Sequence, residues 1–305
     1  MNSYVGHRAR KNRGMRRSWT CALVVVGFIL TLIASPANGT ASKGIPVLSP
    51  CGVAGVAHYD HVVVIMLENV GYSIVGSSDA PYFNQLTEKC GLATNYLAVA
   101  HPSLPNYVAL TSGSTQGITD DGEPSSHPLG MASIFSELGS NWRAQVESMP
   151  SACDRVTSGQ YAARHNPAVY YTGIVSSCRR NDLPMSLPLN LNAGFTMIVP
   201  NVCDDMHSCR VSVGDAWLRR IVPSIVGSSQ YQSRSLVLFI TFDENDSMAS
   251  NQVPTIVIAP TTPRGDRVHL RFDHYSLLRT IETLLHVGLL GRSKSARSMT
   301  APFHL

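Results

Sequence analysis

The sequence predicts a three-layer α/β/α sandwich around a largely parallel central sheet. Two runs, His61-Val62-Val63-Val64-Ile65-Met66-Leu67 and Ser235-Leu236-Val237-Leu238-Phe239-Ile240-Thr241-Phe242, are almost continuously apolar and rich in β-branched residues. That is the pattern of strands buried on both faces. Each run passes directly into acid, Glu68-Asn69 and Asp243-Glu244-Asn245-Asp246. Strand-like and helix-like segments alternate after residue 60 with no intervening linker, as expected where helices cover both faces of one sheet.

The segments follow in order. After the strand at 61–67, Ala80-Pro81 opens a helix that should stop at Gly91. Leu92 to Val99 reads as a strand, Tyr107 to Leu110 as the first turns of a helix, and residues 111–128, heavy in Gly, Ser, Thr and Asp, as a loop. Met131 to Leu138 is expected to be helical and Trp142 to Glu147 a strand. Residues 148–192 are polar and without period, the length of a lid or substrate wall. Phe195 to Val199 is a strand, Gly214 to Val226 a helix, Val253 to Ala259 the last strand and Tyr275 to Leu285 the last helix.

Composition bounds the function. With 44% hydrophobic and 14% charged residues over 305 positions, the chain can bury a large core. Six of its 24 Lys and Arg (Arg8, Arg10, Lys11, Arg13, Arg16, Arg17) fall in residues 1–41. Removing them leaves 18 against 20 acids, about −2, and nothing basic to favour nucleic acid. Arg16-Arg17, an apolar run from Cys21 to Ile33 and the small residues 34–41 follow the order of a secretory signal peptide. An uncleaved anchor is the alternative, disfavoured because a membrane span takes ~20 apolar residues. The expected organisation is a signal peptide at 1–41, a linker at 42–57, a catalytic domain at 58–290 and a tail at 291–305, in a protein secreted to the cell envelope or beyond. Cys51, Cys90, Cys153, Cys178, Cys203 and Cys209 remain, an even count that suits disulfides in an exported chain. Pairing in sequence order is expected. A zinc cluster is the weaker reading, for want of closely spaced pairs.

Ligands of open α/β sheets bind beyond the carboxyl ends of the strands. Glu68, Asn69, Asp243 and Glu244 would then share one edge, an oxygen-rich set suited to a hard divalent cation. A lone acid there would more often cap a helix or pair with Arg. In His101-Pro102-Ser103-Leu104-Pro105-Asn106-Tyr107, Ser103 lies between a strand and a helix N-terminus, where a nucleophile could meet a phosphoryl group. By itself Ser103 is more readily an N-cap. Asp204, Asp205 and His207, past the strand at 195–199, and His274, before the last helix, are further candidates. Arg164-His165-Asn166 could clamp phosphate, although an ordinary polar loop is the better account of that segment.

Taken in order, Val64-Ile65-Met66-Leu67-Glu68-Asn69, His101 to Tyr107, Pro200-Asn201 with Asp204-Asp205-Met206-His207, Gly214 to Leu218, Thr241 to Glu244 and His274 to Glu282 resemble the bacterial phosphoesterase family of secreted acid phosphatases and phospholipase C enzymes. The resemblance covers roughly residues 58–290. It implies an alkaline-phosphatase-like fold and a divalent cation (Mg, Mn, Ca or Zn) among Glu68, Asn69, Ser103, Asp243 and Glu244. It implies Ser103 as nucleophile, Asn106 near the phosphoryl oxygens, and His101, His207 and His274 as further ligands, phosphate contacts or acid–base groups, with His101 also on the substrate. Val70, where relatives carry a polar residue, is expected at the substrate mouth. The function so implied is hydrolysis of phosphate monoesters, phosphorylated small molecules or phosphoinositide head groups, with a membrane involved only as a lipid-substrate surface. A phospholipase C-type diesterase, a metal-free enzyme with His101 as nucleophile and an inactive exported binding protein are the alternatives.

Overall fold

A computed structural model describes residues 50–246 and 250–305. The expected signal peptide and the first part of the linker lie outside the described residues. The strands are β1 (His61–Leu67), β2 (Gly91–Leu97), β3 (Trp142–Val146), β4 (Asp182–Pro184), β5 (Phe195–Val199), β6 (Leu236–Phe242), β7 (Gln252–Ile258), β8 (Arg267–Val268) and β9 (Phe272–Asp273). The α-helices are α1 (Pro81–Lys89), α2 (Ser103–Ser112), α3 (Ile134–Glu137), α4 (Val175–Asn181), α5 (Val211–Val226), α6 (Ser229–Gln232) and α7 (His274–Leu284). The strands form one sheet in the order β4-β3-β5-β1-β6-β7-β2-β8, with β9 also on β2. Only β7 runs antiparallel to its neighbours. The sheet is the centre of a three-layer α/β/α sandwich, in which α1 packs with α5 and α2 with α7.

The register sets up the site. β1 pairs in parallel with β6 from His61↔Leu236 to Leu67↔Phe242 and with β5 from Val62↔Phe195. Val62 to Leu67 and Leu236 to Phe242 are all buried. Each such aliphatic side chain contributes roughly 1.5–3 kcal/mol of burial free energy, which fixes the register that juxtaposes Glu68 and Asp243. Every described strand but β7 points the same way, so the tips of β1, β2, β5 and β6 open on one edge.

The structure differs from the sequence reading in places with identifiable causes. α2 starts at Ser103, four residues before Tyr107. Pro105 fits the first turn because the N–H it lacks there would have no helical acceptor. Gly113, at φ 74°, ends the helix. α3 is one turn, held by a Ser133–Ser136 capping box. The middle of the polar stretch at 148–192, residues 161–171, is packed into the core, while 150–160 stay at the surface. Tyr161, Tyr170 and Tyr171 are buried, α4 covers this end, and β4 extends the sheet beside β3. In the tail, Met299 and Phe303 are fully buried. Disulfides join Cys51–Cys90, Cys153–Cys178 and Cys203–Cys209, the sequential pairing, and among the described residues no cysteine thiol is left for a zinc cluster.

Candidate active site

Glu68 ends β1 fully buried. Its backbone N–H donates to Asp205 O (2.8 Å), so the β5 tip braces the β1 tip. Its Oε1 accepts from the Tyr107 hydroxyl (2.5 Å) and its Oε2 from Ser103 Oγ (3.0 Å). Asn69 turns the chain at φ 53°, and its N–H donates to Asp243 Oδ1 (3.1 Å). Ser103 Oγ also lies 3.4 Å from Glu244 Oε1, whose other oxygen meets His101 Nδ1. The structure thus brings Glu68, Asn69, Ser103, His101, Asp243 and Glu244 together, although they come from three distant segments.

This cluster is strongly acidic, and its carboxylates are buried. Burial, then Asp243 and Asp205, push Glu68 well above the usual carboxylate range. Burial and Glu244 raise Asp243 to about 8. Burial lifts Asp205 to about 8 and, with Asp121, Glu244 to about 7. Among the described residues, no Lys or Arg forms an ion pair with Glu68, Asp243, Glu244 or Asp205. Asp243 Oδ2 is buried without a hydrogen-bond partner. An uncompensated buried carboxylate costs several kcal/mol, so the group needs protons or a cation. Clustered carboxylate oxygens, one of them orphaned, are the donor set of a hard divalent ion, and the residues fit one.

A second tier holds the first. His165, expected on a polar loop, is buried. Its Nδ1 lies 3.1 Å from Asp205 Oδ2 and its Nε2 3.4 Å from Glu68 Oε2. Its ring stacks on Tyr107 at 5.5 Å and 7°. Burial drives its pKa well below the ordinary imidazole value. His207 stands beside it, ring centroids 5.6 Å apart, and its Nε2 accepts from an Arg164 terminal nitrogen (3.3 Å). Burial, then Arg164, lower its pKa. Ligand atoms of Glu68, His165 and His207 lie within 4.8 Å of one another.

Two expected roles do not fit. Asn106 is not free for phosphate: its Oδ1 accepts from the N–H groups of Val99 and Ala100, and its Nδ2 donates to Ala100 O and Pro102 O. It braces the turn that presents Ser103. His274 is fully buried. Its Nε2 donates to the Asp243 carbonyl (2.6 Å) and its Nδ1 accepts from the Tyr96 hydroxyl (3.0 Å). With both nitrogens engaged, and its pKa pushed down by burial to about 4, it supports Asp243 and has no nitrogen left for a substrate. Conversely, Asp205, Tyr107, Arg164 and Asp121 belong to the site. The first three sat inside motifs already noted. Asp121 gave no signal beyond its acidic loop.

The sequence matches the phosphoesterase family over residues 74–288. It is 28% identical to the phosphatidylinositol-3-phosphatase of Mycobacterium tuberculosis over 292 residues, 92% of this chain and 93% of that one. It is 28% identical to the phosphate-repressible acid phosphatase of Penicillium chrysogenum over 280 residues, 84% of this chain and 65% of that one. A solved alkaline phosphatase superfamily protein from Vibrio parahaemolyticus shares the fold, with a TM-score of 0.54 at 11% identity, covering 84% of this chain and 74% of that one.

Proposed function

The chain belongs to the phosphoesterase family and is a phosphoric ester hydrolase, and on that premise we propose that it hydrolyses phosphate monoesters with Ser103 as nucleophile. The observation that carries this is Ser103 Oγ, 3.0 Å from Glu68 Oε2 at the first residue of α2, inside a ring of buried acids. Glu68, Asn69, Ser103, Asp243 and Glu244 would hold a divalent cation. Once bound, it would lower the pKa of the Ser103 hydroxyl and screen the phosphoryl charge.

Ser103 Oγ gives its proton to a neighbouring carboxylate and bonds to phosphorus. The ester oxygen departs as the alcohol, protonated by His101, whose side chain is 42% exposed and held by Glu244. Water then attacks the phosphoserine and gives a proton to His101, the Ser103 oxygen leaves phosphorus and takes back the proton held by the carboxylate, and phosphate is released. In the first turn of α2 the Ser103 N–H has no helical acceptor and lies beside the reacting oxygen, while the Leu104 N–H donates to Asp121 Oδ1 and Pro105 has none.

The name of the mycobacterial relative supports phosphoinositide head groups as one substrate class. Three disulfides support export to an oxidising compartment. Among the described residues, no helix is long and apolar enough to cross a membrane. The test is phosphate release from an aryl monoester, a phosphatidylinositol 3-phosphate and a choline diester, with and without divalent cations. Ser103→Ala should lose at least about a thousandfold in kcat and fail to trap phosphate on serine. Wild-type turnover in Ser103→Ala refutes the mechanism.

A further inference from the structure

Asp121 does something the hydrolytic steps do not require. It lies in the loop between α2 and α3, yet its Oδ1 accepts from the Leu104 N–H (2.9 Å), the backbone donor next to the nucleophile. Its Oδ2 lies 3.7 Å from Arg164 Nε. One carboxylate therefore occupies two features suited to a phosphoryl anion, a helix N-terminal N–H and a guanidinium.

It occupies the second one poorly. At 3.7 Å the contact to Arg164 is an ion pair without a hydrogen bond, and Arg164 Nε is shielded from solvent without a partner. A guanidinium carries five N–H donors. Among the described residues, Arg164 makes one hydrogen bond, to His207. The side chains of Asp121 and Arg164 remain 33% and 23% exposed, so both face the open side of the site. The loop is fixed on either side of Asp121: the Gly122 N–H donates to Asp120 Oδ1 (2.8 Å), and the Tyr170 hydroxyl donates to Gly122 O (2.8 Å). Asp121 can withdraw by a side-chain rotation alone.

We propose that Asp121 is an internal stand-in for the substrate phosphate, displaced when a monoester dianion takes over the Leu104 N–H and the Arg164 guanidinium. The idea deepens the hydrolase reading and rests on it for the identity of the ligand. A carboxylate offers two oxygens; a phosphoryl dianion offers three in a tetrahedron and more charge, enough to reach Leu104 and engage the Arg164 fork together. Freeing Asp121 costs the same for any ligand, and a singly charged diester recovers less of that cost. Asp121 and Arg164 are therefore specificity-determining residues, selecting monoesters. The returning carboxylate also competes with inorganic phosphate and so speeds product release.

The test is calorimetric titration of inorganic phosphate into wild-type protein, Asp121→Asn and Arg164→Ala at fixed divalent cation. Asp121→Asn should bind phosphate about tenfold tighter and Arg164→Ala about tenfold weaker, the range of one charge-assisted hydrogen bond. The monoester-to-diester ratio of kcat/KM should fall in Arg164→Ala. Unchanged or weaker phosphate binding by Asp121→Asn at a wild-type melting temperature overturns the proposal. If Asp121→Asn does not fold, Arg164→Ala decides, and wild-type phosphate affinity there overturns it equally. Phosphate binding needs no turnover. A protein that hydrolysed no ester yet showed these affinities would sink the proposed function and leave the displacement standing.

Discussion

Tyr107→Phe isolates a single contact at the centre of the site. The Tyr107 hydroxyl donates to Glu68 Oε1 at 2.5 Å, with both residues fully buried. Phenylalanine keeps the ring that stacks on His165 and removes only the donor. Glu68 retains Ser103 on its other oxygen, so the loss is one charge-assisted hydrogen bond, ~1.5–3 kcal/mol in a buried setting. Part of that orients the carboxylate for its cation, and loss of a bond behind a metal ligand typically costs about 10–100-fold in affinity. The cation dissociation constant, measured by competition with a chromophoric chelator, should rise by about that factor. At saturating cation kcat should recover to within about threefold of wild type, because the Tyr107 hydroxyl bonds Glu68 Oε1 and makes no hydrogen bond to the Ser103 hydroxyl. A dissociation constant within about twofold of wild type, in a folded variant, would refute the idea that Tyr107 orients a cation ligand.

Other perturbations read different parts of the molecule. Asp182 is fully buried, and burial raises it from 3.8 to about 7, offset in part by a hydrogen bond from Asn166 (2.9 Å). The folded state then holds a proton that the unfolded chain has released, so stability is greatest near pH 4 and falls as pH rises to about 7, by roughly 4 kcal/mol from this group. Asp182→Asn should flatten that decline in denaturant titrations, and parallel profiles would refute the assignment. Chelation of divalent cations should lower the melting temperature by roughly 5–10 °C, because a ligand at a hundred times its Kd stabilises by ~2.7 kcal/mol; re-addition should restore it, and a melt indifferent to chelation would contradict the cation site. Cys51–Cys90 closes a 39-residue separation and Cys203–Cys209 one of 6, worth about 4 and about 2 kcal/mol by chain entropy. Cys51→Ser with Cys90→Ser should chiefly lower stability. Cys203→Ser with Cys209→Ser should chiefly lower turnover, since that loop carries Asp205 and His207.

What the sequence revealed follows from the reach of its signals. β1 and β6 are apolar on both faces, and such strands declare themselves without alignment to anything else; their acidic tips then share an edge because parallel strands must. Ser103 was legible because two prolines and a helix start surround it. His165 was not. It lies 40 residues from Asp205 and 97 from Glu68, in a stretch of short 3₁₀ turns whose buried residues follow neither a helix nor a strand period. His274 misled for a related reason. The two-residue β9, below the length at which alternation can be read, pairs with β2 and carries the following residue beneath the sheet. Asn106 misled because asparagine readily satisfies its own neighbouring backbone, and here four such bonds use its amide completely.

The division of charge around Ser103 distinguishes an enzyme from a binding protein on the same scaffold. Ser103 contacts Glu68 and Glu244 through its hydroxyl, while its neighbour Leu104 opens onto Asp121 and, through it, Arg164. A protein selected only to hold a phosphorylated ligand needs the α2 N–H groups, Arg164 and His207. Buried carboxylates next to them would repel that ligand and cost several kcal/mol apiece in desolvation. Glu68, Asp243, Glu244 and Asp205 in one buried cluster, with no Lys or Arg ion pair among the described residues, are a donor set for a cation rather than for a phosphate. A cation held against a hydroxyl at a helix N-terminus makes that hydroxyl a better nucleophile, and does little for affinity that Arg164 could not do alone. The acidic floor is therefore the part of the site that argues for turnover, and the cationic rim the part that argues for phosphate.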